Sequence, residues 1–347
     1  MIPDSWHAAA LAPPRALDLP RARGRLRVEI EDFMVEEELG FSPDGAGAHV
    51  LLRVRKRNAN TEWVARALAR AADCKAADVG YAGLKDRRAI AVQWFSVPAR
   101  GRRAEAWRDF SDAEFEVLEA FPHGRKLPRG ALKSNQFRIC VRELDVDPES
   151  LPAALEAIAR RGVPNYFGPQ RFGRDAANLA RLQAGAFRGR PDGFVLSSAR
   201  SLIFNAVLAE RVREGSWERL EAGDVANLDG RGSVFEIEEV TAELLDRCRG
   251  LDIHPTGPLW GRGEPATQGR LLELERTLAA SFPEACGLVE AAGMVQERRA
   301  LRLGVRDLRH EYLRDSSRLI LSFRLGRGSF ATAVLRELFE LEMLEAD

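Results

Sequence analysis

The chemistry that this sequence could perform is most easily placed on Asp86. It lies in Gly83-Leu84-Lys85-Asp86-Arg87-Arg88, a single carboxylate behind a glycine and among three cations. Close cations favour the ionised carboxylate, the form needed by a nucleophile or a general base. An ordinary charged β-turn would have the same composition. A second segment, Phe121 to Arg142, holds six Lys/Arg, one His and no acid, and leads through Ser134-Asn135-Gln136-Phe137. An extruded nucleobase needs cations for phosphates, an amide for a base edge and a ring to stack on. A solvated basic face with a core Phe fits the segment equally well. Between Val163 and Gly173, two prolines and two glycines surround three aromatics and Arg171, which reads as a packed loop anchoring a helix end. In Gly326 to Thr332, N–H groups at a helix start could bind an anion, although capping by Ser329 alone accounts for the pattern.

These residues need elements to position them. Leu26 to Leu39 alternates apolar and charged residues, with a change of parity after Asp32, and predicts one half-buried strand kinked there. Pro43-Asp44-Gly45 is turn chemistry, and His49 to Val54 predicts a second strand forming a hairpin with the first. Thr61 is expected to cap a helix whose buried stripe is Val64, Ala67, Leu68 and Ala71. A short strand near Val79 enters the Asp86 loop. The chain leaves it through Ala89 to Val97, with Ile90, Val92 and Trp94 on one face. Another strand is predicted at Gln136 to Val141, with Asn135 just beyond its apolar face of Phe137, Ile139 and Val141. A helix from Leu151 to Arg161 ends at Gly162. Beyond it Arg-Gly-rich loops (Gly168 to Gly173, Gly185 to Gly193) alternate with a helical Ser198 to Arg213. Strand signals follow at Ser233 to Val240 and a Gly/Pro stretch at His254 to Pro265. The pattern returns to strand at Leu319 to Leu325 and ends in an amphipathic helix opened by Ser329. Strands at both ends around a different middle suggest one domain inserted into another.

Composition narrows the function. The 347 residues hold 52 Lys+Arg against 52 Asp+Glu with 45% hydrophobic residues, which fits a soluble chain of about two domains. No apolar run approaches the ~20 residues of a membrane span. Four cysteines and five histidines are scattered without CxxC or HxxxH spacing, which argues against zinc sites and redox dithiols. No GxGxxG or Walker A pattern follows a strand. The start of the chain has no signal-peptide pattern, so a cytoplasmic location is expected. The zero net charge hides a division: residues 51–200 hold 28 Lys/Arg against 17 Asp/Glu, and the flanks hold 24 against 35. A positive field around Asp86 would suit an enzyme acting on nucleic acid.

Together and in this order the segments resemble one family. EDFMVEE, PDGAGAHVLLRV, NANT, GYAGLKDRRAIAVQW, SNQF, GVPNYFGPQRFG, SARSLIFNAVLAERV and GSFATAVLREL span about three hundred residues and resemble the TruD family of tRNA pseudouridine synthases, which modify uridine 13. The resemblance implies an α+β fold. A pseudouridine-synthase-like catalytic domain with a mixed, largely antiparallel sheet would occupy 1–161 and 305–347. An inserted α/β TRUD lobe would run from 162 to 304, with RNA in the cleft between the lobes. It makes Asp86 the catalytic carboxylate and Phe33, Asn135, Phe137 and Phe330 substrate contacts; the neighbouring cations Lys85 and Arg87 would keep Asp86 charged and orient phosphates. It further implies tRNA as partner, tRNA-Glu in particular, a monomer, and no metal or cofactor. Leu84, Arg27 (where a Lys is familiar) and the tryptophan-free LRHEYLRD segment depart from the family pattern. The competing class is a non-catalytic RNA binder or folding chaperone. A second alternative is the same reaction on another tRNA or a structured mRNA.

Overall fold

The computed structural model describes residues 3–17, 22–185 and 192–343. Most of the loop expected at Gly185 to Gly193 lies outside them. The chain packs as two compact units: residues 20–152, 306–328 and 339–347 form one, and residues 1–19, 153–305 and 329–338 form the other.

The first unit is built on a ten-stranded sheet. Its strands begin with β1 (Ala22–Leu26), β2 (Phe33–Leu39), β3 (His49–Arg57), β4 (Gly80–Tyr81), β5 (Ile90–Pro98), β6 (Phe115–His123) and β7 (Leu132–Asp145). Strands Arg306–Leu313, Arg318–Gly326 and Phe339–Met343 complete it. The order runs Arg306–Leu313, Arg318–Gly326, β7, β2, β5, β3, β6, while β4 joins β5 and Phe339–Met343 joins β1. Among the described residues only β2–β5 and β1–Phe339–Met343 are parallel pairs of this sheet, so it is mixed and largely antiparallel within an α+β chain, as the sequence implies.

Several sequence expectations are corrected. The kinked strand at Leu26 to Leu39 is two strands separated by a 3-10 turn, Ile30–Asp32, because Arg27 takes a left-handed φ of 60° that ends β1. No hairpin joins β2 to β3, since β5 lies between them. Thr61 does not cap the helix Thr61–Ala71 but is its first residue, after Asn60. The helix Ala331–Leu338 does not end the fold: Phe339–Met343 follows as a strand.

The inner sheet face is apolar for a plain reason. Val50, Leu52 and Val54 of β3 and Phe95 and Val97 of β5 share one strand parity, and the helix sets Val64 and Leu68 against them. On the other face Arg53 pairs with Glu36 and Glu119, Arg55 with Glu116, and Arg324 with Glu38 and Asp307. The positive block counted along the chain is therefore interleaved with carboxylates there.

The second unit surrounds the 21-residue helix Gly193–Arg213, which starts earlier than the predicted Ser198. Its SARSLIFNAVLA core is buried on all sides, and it is packed by helices Asp4–Leu11, Ala177–Ala184 and Pro283–Ala291. The Gly/Pro stretch supplies a strand, Ile253–Leu259.

One glycine before the Asp86 loop is sterically required. A Cβ on Gly80 would lie 2.5 Å from both Leu127 O and Ser96 Oγ, whereas one on Gly83 would meet nothing within 4 Å. Gly80→Ala should therefore cost about 1–3 kcal/mol through overpacking, and Gly83→Ala within about 0.5 kcal/mol of zero. Urea unfolding of the two variants checks this; equal losses would contradict it.

Candidate active site

Asp86 follows β4 in a loop whose tip is open: its side chain is half exposed and Leu84 is 58% exposed. The loop is held from behind by buried polar groups. Gln93, on the inner face of β5, donates from Nε2 to Gly83 O at 2.6 Å. Thr61, at the helix start, donates to Gln93 Oε1 and accepts from the Lys85 N–H, each at 3.0 Å. Both side chains are buried. The Lys85 ammonium sits 2.5 Å from Glu37 Oε1 in a buried ion pair, while Glu37 Oε2 accepts from the Trp94 N–H at 2.9 Å. Lys56, wholly buried, donates to Asp86 O at 2.8 Å and to Ala59 O at 2.7 Å.

In front, the Arg27 guanidinium pairs with the Asp86 carboxylate and lies 4.4 Å above the Phe33 ring. Arg27 holds this place with a left-handed backbone, a conformation costing on the order of 1 kcal/mol for a non-glycine residue. Phe33 is itself fixed by the turn before it. Asp32 is buried, accepts both Arg142 Nε contacts at 2.8 and 2.9 Å, and accepts the Glu29 N–H at 2.7 Å.

Most of the expected site residues thus belong to one unit and connect through contacts. Phe33 meets Phe137 edge-on with centroids 6.1 Å apart, and Phe137 stacks on Phe323 at 5.5 Å. Asn135 lies directly across from Glu37 and therefore beside the partner of Lys85. It is buried within β7, not beyond the strand end, and its Oδ1 has no hydrogen-bond partner among the described residues. A buried acceptor left unused costs free energy, so this oxygen is suited to an incoming N–H. Arg87 is exposed in the loop; Arg125, Lys126, Arg129, Lys133 and Arg138 of the basic strip are exposed too, with Lys133 paired to Glu38. Phe330 belongs to the other unit, half-buried, with its ring 6.3 Å from that of Phe167 and Arg171 5.7 Å from its centroid.

Sequence reading missed Lys56, Glu37, Thr61 and Gln93 as parts of this site. A signal existed for three of them. Lys56 continues the Val50-Leu52-Val54 parity, Glu37 continues Phe33-Val35, and Gln93 lies between Ala91 and Phe95 on the buried face. A polar residue on an apolar stripe marks a group with buried work to do.

A carboxylate held by a guanidinium, beside aromatic rings and an unused amide acceptor, is an arrangement with the hydrogen-bonding and stacking groups that a planar substrate needs. A family model described as tRNA pseudouridine synthase D (TruD) matches residues 14–182 and 190–338. The chain is 46% identical over 338 residues to tRNA pseudouridine synthase D of Methylococcus capsulatus, covering 94% of this chain and 95% of that one. It is 44% identical over 327 residues to the protein of that name from Nitrosococcus oceani, covering 92% and 91%. The solved structure of the Methanosarcina mazei protein titled putative tRNA pseudouridine synthase D superposes with a TM-score of 0.72 at 23% identity. The match covers 97% of this chain and 98% of that one and supports the fold. The chain belongs to the TruD family.

Two expectations follow from the buried groups. Thr61→Val removes the hydroxyl at constant shape and leaves the Lys85 N–H and Gln93 Oε1 unpaired. It should cost about 1–3 kcal/mol in urea unfolding, and Thr61→Ser should recover most of that; a neutral Thr61→Val would contradict the arrangement. Burial also pushes the Lys56 amine down to about 8 from 10.5, with the Asp86 charge opposing the shift. Below pH 8 the charged amine is buried at full cost. Between pH 8 and 10.5 the unfolded chain binds the extra proton, so stability from this site rises with pH. Unaltered protein should gain in urea midpoint relative to Lys56→Met across that window; a constant difference would contradict the shift.

Proposed function

We propose that this chain isomerises uridine 13 of tRNA to pseudouridine, with Asp86 as the reacting carboxylate. The reaction breaks the N1–C1′ bond, turns the base and joins C5 to C1′. The C5 proton is lost and N1 gains one, so no net redox change occurs. Asp86 would either attack C1′ or remove a sugar proton. The observation that carries the reading is the chain of contacts from Asp86 through Arg27 and Phe33 to Phe137 in a member of this family. Its half-exposed carboxylate has a fixed direction, and the unused Asn135 oxygen lies on the neighbouring strand.

The uracil must leave the RNA stack to reach a carboxylate on a loop. Extrusion costs a few kcal/mol, recovered by stacking and edge hydrogen bonds. Asn135 Oδ1 would accept an N–H of the extruded base, and Phe33 and Phe137 would supply apolar contact. Arg87 and the exposed cations of the 121–142 strip would meet phosphates. Lys85, fully engaged with Glu37, contributes charge near the loop and holds its main chain. The substrate is tRNA, tRNA-Glu among the species used, and the enzyme acts as a monomer in the cytoplasm.

Pseudouridine mapping of total RNA from cells with and without the gene tests this. Position 13 of tRNA should lose the modification and regain it only with an intact Asp86. Purified Asp86→Asn should lose at least ~10²-fold in single-turnover rate while binding tRNA within a few-fold of the unaltered protein, with affinity falling as salt rises. Near-normal turnover by Asp86→Asn, or modification confined to another RNA, would overturn the proposal. Restoration of every cellular function by Asp86→Asn would favour a non-catalytic RNA binder.

A further inference from the structure

We propose that Lys56 is a positioning residue for the reaction: its buried ammonium fixes the main chain at Asp86 and thereby the direction of the carboxylate. The proposal rests on reading Asp86 as the reacting group, and it assigns work to a residue with no route to substrate.

The strand itself shows what is unusual. β3 buries Val50, Leu52 and Val54 on the face covered by the helix Thr61–Ala71, and Lys56 is the next residue of that face, with no exposed surface. An apolar side chain would continue the core there. A lysine brings a charge whose burial is unfavourable unless its donors are used. They are used on two main-chain oxygens, Ala59 O at 2.7 Å and Asp86 O at 2.8 Å. Lys56 therefore ties the loop that opens the helix to the loop that presents Asp86. The charges facing it are Asp86 and Glu37, which attract, and Lys85, which repels. Glu37 is already paired with Lys85.

Gly83 and Lys85, before Asp86, have their own fastenings, at Gly83 O, the Lys85 N–H and the Lys85 ammonium. At Asp86 the main chain is held at its carbonyl by Lys56, and the carboxylate by Arg27. Without Lys56 the peptide between Asp86 and Arg87 loses this hold, and the carboxylate can swing with it. Misplacing a reacting group by about 1 Å costs on the order of 10²-fold in rate without weakening remote binding contacts.

The test uses the full-length protein and unmodified tRNA transcript. Lys56→Met deletes the ammonium and its two hydrogen bonds in an apolar side chain of similar reach, and Lys56→Gln keeps a neutral donor. Single-turnover rate at saturating protein, tRNA affinity by filter binding and thermal melting are measured for both, with Asp86→Asn in parallel. The expected result is a 10- to 100-fold lower rate for Lys56→Met, a smaller loss for Lys56→Gln, and tRNA affinity within about 3-fold for both. Unaltered rates in folded variants overturn the inference, as does a loss confined to tRNA affinity. Absence of cooperative melting in both variants also overturns it, since Lys56 would then serve stability alone. Should Asp86→Asn retain its rate, the reading of Asp86 fails instead, and the two failures are distinct.

Discussion

A carboxylate proposed to meet an RNA base has to be exposed, and an exposed loop is ordinarily free to move. The Asp86 loop reconciles the two by hydrogen bonding behind its tip. Thr61 and Gln93 meet inside the protein and between them engage the Gly83 carbonyl and the Lys85 N–H. Neither group is an isolated polar intrusion. Each uses its hydrogen-bonding capacity on the loop or on the other, so leaving the native conformation would strand several buried groups at once, at about 1–3 kcal/mol for each. The rest of the site can be built only because this loop has one place to be.

Two further devices bring a guanidinium and an aromatic ring to that place. Arg27 occupies a strained backbone region immediately after β1, and this lets one guanidinium span Asp86 and the Phe33 ring. Buried Asp32, paired with half-buried Arg142, closes the turn before Phe33 and sets the ring against Phe137. Strain of this kind persists where the surroundings over-determine it. The same unit spends its ion pairs differently on the half-exposed sheet face, where Arg53, Arg55 and Arg324 alternate with carboxylates of other strands. Such pairs contribute little individually.

The sequence was legible where a signal is local. The loop that carries Asp86, the parity of Phe137-Ile139-Val141 and the helix from Leu151 to Arg161 are all written in neighbouring residues. What could not be read depends on which strands become neighbours. The supposed hairpin of β2 and β3 fails because β5 enters between them, a choice made by long-range pairing and not by the turn at Pro43. Counting charge along the chain likewise missed that Glu36 and Glu38 would face Arg53 and Arg324 from another strand. Thr61 looked like a helix cap because caps and first-turn residues share a composition; its hydroxyl is instead used on Gln93, thirty-two residues away. Lys56 and Gln93 were visible as polar residues on apolar stripes, but the loop groups they hold are main-chain oxygens, which no side-chain pattern announces.

The central claim is that the Asp86 loop is fixed before any substrate arrives. Residue-resolved amide hydrogen exchange of the free protein measures this at one group, the Lys85 N–H next to the exposed Leu84. The account predicts slow exchange there, because that hydrogen is held by the buried Thr61 hydroxyl. Exchange at the rate of an unstructured peptide would contradict it, and would mean that the loop acquires its shape only on the RNA.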